Sequence, residues 1–291
     1  MLRLTPRYRF KYRGLFGRGG PLPNLIFKEI FDIIKKIRKE VLVYMNFNER
    51  INKLNEKIAK AEKIVFFTGA GISTESGIKD FRSADGLWAE TPESMCHVTT
   101  MMRRPLMFFP FYKQSFDCRA YKPNIAHIKI AELEKMGKKV AVVTQNVDGL
   151  HQKAGSSTVY ELHGTTAINH CTECFETYGE DFIFDFDKKH PNAKIPTCPK
   201  CGGRVRPNIV CFGEPLPFNA FSNSITAIRE ADLVIVCGTS LVVQPAAGMI
   251  AWVPYDNLVI INRDETPYDC RAELVFHQSL GDVFTEVKTN G

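Results

Sequence analysis

The sequence predicts an α/β chain: a parallel sheet with helices on both faces, interrupted by a small module of different character and a helical segment. Three observations predict it. Short, nearly continuous apolar runs recur at 64–67, 140–144, 233–237 and 258–261, as in strands buried on both faces. The intervals between them are long enough for crossover helices. Between the second and third run lies an insertion that holds two Cys-x-x-Cys pairs.

Taken in order, residues 1–44 hold eleven Lys and Arg against Glu29, Asp32 and Glu40, a net of +8. The rest of the chain therefore carries 6 − 8 = −2 of the formal +6, and a nearly neutral body gives no reason to expect direct nucleic-acid binding. Residues 1–23, closed by Gly19-Gly20-Pro21-Leu22-Pro23, read as disordered. Residues 25–43 set Ile26, Ile30, Ile33, Ile37 and Val41 at helical spacing among lysines and arginines. Such an amphipathic helix suits docking on the body, on a partner or on an anionic surface. Two other readings compete for residues 1–44: an organellar transit peptide, and a stretch upstream of a start at Met45. The main domain is expected over 45–291.

Residues 49–62 predict a helix, with Ile51, Leu54 and Ile58 on one face. Each apolar run then ends in a polar or glycine-rich cluster: Gly69-Ala70-Gly71, Gln145-Asn146-Val147-Asp148, Gly238-Thr239-Ser240 and Asn262-Arg263-Asp264. Open parallel sheets bind ligands outside the carboxyl ends of their strands, so the four clusters are expected to share one cleft. Gly69-Ala70-Gly71 alone is a weak nucleotide signal, because Thr74 stands where the dinucleotide fingerprint has its third glycine. Its glycines would still let backbone N–H groups approach a pyrophosphate at a helix start.

The insertion reads as a zinc module over about 165–206. Cys171, Cys174, Cys198 and Cys201 form two pairs separated by 23 residues, and four thiolates make the closed tetrahedral site of structural zinc. With no open position, the metal has no catalytic part. The acidic loop between the pairs argues against a nucleic-acid-binding ribbon. The other five cysteines read as free buried thiols. No run approaches the roughly 18 apolar residues of a membrane span, and no secretory signal is evident. Metal-type cysteine pairs without such a signal point to a reducing, cytoplasmic compartment.

The loop 69–83 closely resembles the cofactor loop of the sirtuin family. The segments Thr144-Gln145-Asn146-Val147-Asp148-Gly149-Leu150-His151, Glu161-Leu162-His163-Gly164, Arg206-Pro207-Asn208-Ile209-Val210-Cys211-Phe212-Gly213-Glu214 and Gly238-Thr239-Ser240-Leu241 resemble further family motifs. With the cysteine pairs in order, the resemblance covers roughly 48–288. It implies a Rossmann-type domain with an inserted zinc module, and a cleft where NAD meets an acyl-lysine protein or peptide. Carried over by motif, Gly69, Ala70, Gly71 and Thr74 would hold the phosphates. Asp80, Phe81 and Arg82 would form a lid. Gln145, Asn146 and Asp148 would line the ribose and nicotinamide pocket, and Gly238, Thr239, Ser240, Asn262 and Arg263 the adenosine half.

The implied reaction joins the acyl oxygen to the nicotinamide ribose and frees nicotinamide. His163 takes a proton from a ribose hydroxyl, and water releases the lysine and an O-acyl-ADP-ribose. A histidine suits this because imidazole is largely neutral at pH 7. His151 is expected to make a structural hydrogen bond, and His170 to lie outside the filled metal site. His97, His127, His190 and His277 read as surface or packing residues. The peptide is expected to add as a strand along Val210, Phe212, Gly213 and Glu214 and near Leu241. Succinyl-preferring relatives carry a Tyr-x-x-Arg pair, whereas here Ser115 follows Tyr112 at that spacing, so neutral acyl groups, acetyl first, are expected. Rival readings are a protein mono-ADP-ribosyltransferase, a non-catalytic NAD-sensing module, and a hydride-transferring oxidoreductase.

Overall fold

The structure is a computed structural model that describes residues 45–254 and 256–289. The expectations for residues 1–44 lie outside the described residues.

Helix α1 (Phe47–Lys60) starts two residues before the predicted helix because Asn46 caps it. The Asn46 side chain accepts from the Glu49 N–H at 3.0 Å, and Glu49 accepts from the Asn46 N–H at 2.8 Å. This reciprocal box satisfies two otherwise unpaired donors. Ile51, Leu54 and Ile58 form its buried face.

The main sheet has six parallel strands in the order β3-β2-β1-β7-β8-β9. The four predicted runs are its central strands: β1 (Lys63–Thr68), β2 (Lys139–Thr144), β7 (Leu233–Cys237) and β8 (Leu258–Ile261). The edge strands β3 (Val159–Glu161) and β9 (Leu274–Phe276) were not foreseen. Each has three residues and pairs on one side only, so neither leaves an apolar run in the sequence.

Val65, Phe67, Val234, Val236 and Ile260 pack on one face against the 3-10 segment Ala246–Trp252 and the end of α3 (Phe218–Glu230). On the opposite face Phe66 meets Phe284 at 6.3 Å between ring centroids. Phe66 and Phe67 are fully buried, each worth roughly 2–3 kcal/mol relative to exposure.

The insertion forms a second, antiparallel sheet in the order β5-β4-β6, from β4 (Gly164–Cys171), β5 (Thr177–Gly179) and β6 (Val205–Ile209). An aromatic core joins it to α2 (Pro105–Phe116), where Tyr112 stacks on Phe108, Phe116 and Phe184.

Topology fixes the crevice. The chain runs outward from β1 through β2 to β3, then returns to place β7 on the other side of β1. Crossovers leave in opposite directions at that point, which is where open parallel sheets place their ligand crevice. Thr68 and Cys237, the last residues of these strands, are register partners.

Candidate active site

Backbone meets backbone where the two central loops begin. The Gly71 N–H donates to the Gly238 carbonyl at 2.9 Å, and the Gly69 N–H to the Cys237 carbonyl at 3.1 Å. A Cβ on Gly71 would stand 2.8 Å from the Gly238 Cα, and one on Gly238 would stand 2.3 Å from the Ile72 nitrogen. Gly238 also has φ +60°. These glycines therefore serve loop-to-loop contact first. The N–H groups of Gly69 and Gly71 are engaged within the protein.

Deeper in the cleft, Ser73 joins two predicted residues. Its hydroxyl donates to Asp148 Oδ2 at 2.6 Å and accepts from Asn146 Nδ2 at 3.1 Å. All three side chains are buried. Sequence reasoning missed Ser73, because Ser73 and Thr74 are equivalent hydroxyls in a linear reading. The 3-10 turn Ala70–Ser76 sends Ser73 inward, while Thr74 bonds back to the Gly71 carbonyl at 3.0 Å. Gln145 bridges the loops by donating to Thr239 Oγ1 at 3.0 Å.

His163 lies in the turn between β3 and β4. Its Nδ1 is 2.9 Å from the Gln145 carbonyl. A carbonyl only accepts, so Nδ1 carries the proton and Nε2 presents a lone pair. Burial lowers the pKa of His163 from the ordinary imidazole value, opposed by this hydrogen bond. The ring is thus a neutral base with its tautomer fixed.

Two further histidines, His127 and His151, are almost wholly buried. Burial lowers both pKa values, that of His127 to about 4. A depressed histidine pKa means that the unfolded chain takes up protons the folded chain refuses. Stability from this source is full above about pH 6.5 and falls as pH drops, by up to about 1.4 kcal/mol per pH unit for each ring. The urea midpoint is expected to drop clearly between pH 7.5 and pH 5, and an unchanged midpoint would refute the buried neutral pair.

Asp80, Phe81 and Arg82 lie in the loop after the glycine turn. Asp80 Oδ1 accepts from the N–H groups of Arg82 and Ser83. Phe81 packs 5.2 Å from Trp88 and 6.3 Å from Phe116, and Arg82 pairs with Glu93 at 3.3 Å. After β8, Asn262 donates to the Asp264 carbonyl and Arg263 is exposed.

The four predicted thiols meet. Cys171 and Cys201 sulfurs are 3.4 Å apart, Cys174 and Cys198 sulfurs 3.7 Å, and all four lie within 4.8 Å of one another. A zinc tetrahedron with bonds near 2.3 Å needs sulfurs about 3.8 Å apart, so the set fits one ion. The N–H groups of Glu173 and Gly203 donate to Cys171 and Cys201 sulfurs, which favours thiolates. A Cβ at Gly203 would stand 3.0 Å from the Cys171 sulfur, hence the glycine. Of the other cysteines, four are buried as expected; Cys270 is exposed, a correction, because it sits on the surface turn Asp269–Arg271.

Along 210–214, the Val210 N–H donates to the His163 carbonyl at 2.8 Å, and Phe212 pairs with Cys96 and Val98. Phe212 and Gly213 are exposed. Glu214 instead turns inward: Arg206 grips its carboxylate at 2.6 and 2.8 Å, and the Cys211 N–H adds a third bond. It shapes the loop. Leu241 is buried with φ +54° and Val242 beside it is exposed.

The Sir2 family model matches residues 69–245. An NAD-dependent protein deacetylase of Clostridium perfringens is 48% identical over 247 residues, spanning 82% of this chain and 99% of that protein. One from Staphylococcus epidermidis is 42% identical, spanning 81% and 96%. A solved structure of Sir2 with p53 peptide and NAD+ matches with a TM-score of 0.73 at 38% identity, over 81% of this chain and 96% of that one. Sir2Tm bound to a propionylated peptide matches with a TM-score of 0.72 at 37% identity, with the same coverage.

Proposed function

This chain belongs to the Sir2 family, and we propose that it is an NAD-dependent protein-lysine deacetylase with His163 as its base. The observation that carries the role of His163 is the tautomer: Nδ1 bonded to the Gln145 carbonyl, Nε2 left to accept.

NAD supplies the ADP-ribosyl group that takes the acyl group, leaving nicotinamide, free lysine and O-acyl-ADP-ribose. Asn146 and Asp148, held by Ser73, would receive the nicotinamide amide, a neutral group with a donor and an acceptor. Ala70 and Thr74, on the turn set by Gly69 and Gly71, would cradle the phosphates. Gly238, Thr239 and Ser240 would position the adenosine half with Asn262 and Arg263, and Gln145 the ribose. Asp80 and Arg82 would shape the lid, and Phe81 would keep water from the reacting carbon. A peptide strand would pair with open backbone near Val210 and Gly213, beside Phe212, with Leu241 behind it and Glu214 as the loop's anchor. The four cysteines would hold one zinc ion as structure. Among the described residues no helix is long and apolar enough to cross a membrane. A cytoplasmic location and assignment to the acyl transferases are part of the same proposal.

Acyl preference follows from the aromatic core. Tyr112 is fully buried, its hydroxyl without a partner, and Lys113 pairs with Asp187 at 2.7 Å. Neither is placed to receive a carboxylate, and burying one unpaired costs several kcal/mol. Mass spectrometry of acyl-lysine peptides with and without NAD tests both points. Acetyl loss that requires NAD, with O-acetyl-ADP-ribose appearing, is expected, and succinyl turnover about a hundredfold slower or less. An untouched acetyl peptide would overturn the function; equal succinyl turnover would overturn the preference.

A further inference from the structure

Beneath the cleft lies a group the reaction above does not use. His151, in the short helix Leu150–Ala154, is 1% exposed, and its ring lies 4.7 Å from that of His127, which is fully buried. A buried imidazole pair is costly unless its nitrogens are bonded, yet only one nitrogen of each ring is: His151 Nδ1 and His127 Nε2 have no partner.

What His151 does bond is informative. Its Nε2 is 3.1 Å from Thr68 Oγ1 at the end of β1, and Thr68 Oγ1 donates to Thr144 Oγ1 at 2.8 Å at the end of β2. With the Thr68 proton engaged, His151 Nε2 must be the donor. Thr144 Oγ1 in turn accepts the Asn146 N–H at 3.0 Å. The chain of bonds therefore ends on the backbone of the residue whose side chain holds Ser73, at the point where β2 gives way to the site loop. His127 reaches the other wall: its Nδ1 is 3.1 Å from Asn124 Oδ1, and Asn124 Nδ2 donates to the Ile72 carbonyl at 2.7 Å.

We infer that His151 is a positioning residue for the nicotinamide end of NAD, acting through Thr68 and Thr144 on Asn146; the inference rests on the NAD reading above. It touches no reacting atom. Its contribution is to fix the height and direction of the Asn146 backbone, so that Asn146 and Asp148 face the nicotinamide amide without rearrangement. His151 itself bonds none of the residues assigned to the phosphates and adenosine; its one side-chain partner is Thr68, which precedes the glycine turn.

That separation supplies the test. Calorimetric titration of the full zinc-loaded chain with NAD and with ADP-ribose, which lacks nicotinamide, compares wild type with Thr68→Val, His151→Leu and His151→Gln. Thr68→Val and His151→Leu are expected to weaken NAD by about fivefold, the worth of one buried hydrogen bond. ADP-ribose affinity is expected to stay within about twofold, and KM for NAD to rise more than kcat falls. His151→Gln, whose amide nitrogen can donate to Thr68, is expected to recover most of the loss. Equal weakening of both ligands, no rescue by Gln, or full NAD affinity in folded Thr68→Val would overturn the inference. Should His151→Leu not fold, the nearly isosteric Thr68→Val decides. Wild-type protein that binds neither ligand would instead remove the cofactor reading on which this rests.

Discussion

Replacing His163 with alanine is expected to lower kcat for deacetylation by about a thousandfold while leaving the protein folded. The size follows from the loss of a positioned general base. The fold should survive because the His163 backbone carbonyl still receives the Val210 N–H, and the side chain's own bond goes only to the Gln145 carbonyl. Burial lowers the His163 pKa, so the neutral base persists below the pH at which free imidazole protonates. Activity should therefore fall as pH drops through a value under 6.5, and the variant should lose that limb. Steady-state rates of acetyl release across pH, with nicotinamide release followed in parallel, check both. Deacetylation at near wild-type rate would remove His163 from the role. Lost deacetylation with undiminished ADP-ribosyl transfer to protein would favour a transferase.

Removing zinc is expected to abolish activity although no cysteine ligand belongs to the reacting groups. Strand β4 begins at Gly164, immediately after His163, and β6 ends at Ile209, immediately before Val210; the two residues are register partners. The small sheet thus holds His163, the proposed base, and the 210–214 segment, the proposed peptide edge, together. Three short strands bury too little to stand alone, whereas a structural zinc site contributes roughly 10–16 kcal/mol to folding at neutral pH. Cys198→Ala, or a strong chelator, should reduce metal from one ion per chain to none. The 164–209 region should become protease-sensitive, with activity lost. Cys270→Ala, at an exposed thiol, should change none of these. A metal-free variant that keeps its activity would show that the sheet is held by packing alone.

Much of this arrangement was legible in the sequence, for a physical reason in each case. A strand buried on both faces must be apolar throughout, so the central strands 63–68, 139–144, 233–237 and 258–261 announced themselves. Thiolate pairs reach one ion only from a tight knuckle, so the Cys171–Cys201 cluster was readable from spacing. The edge strands were not, because three residues paired on one side need no distinctive composition. Hydroxyl positions were not either. Ser73 and Thr74 differ by one place along the chain, and only the 3-10 turn decides which reaches Asp148 and which bonds back to Gly71.

The sequence by itself determined the central strands of the main sheet, the four-cysteine cluster and the loops that follow those strands. Those follow from local composition and from the rule that parallel strands bind at their carboxyl ends. Tertiary structure alone decided which groups remain available once the loops meet. Gly71 gives its N–H to Gly238, Glu214 gives its carboxylate to Arg206, and Tyr112 is sealed in an aromatic stack. It also tied His151 to Asn146 through two threonines on different strands. Hydrogen-bond partners are chosen by packing across distant segments, and each bond made inside the fold withdraws a group from the ligand.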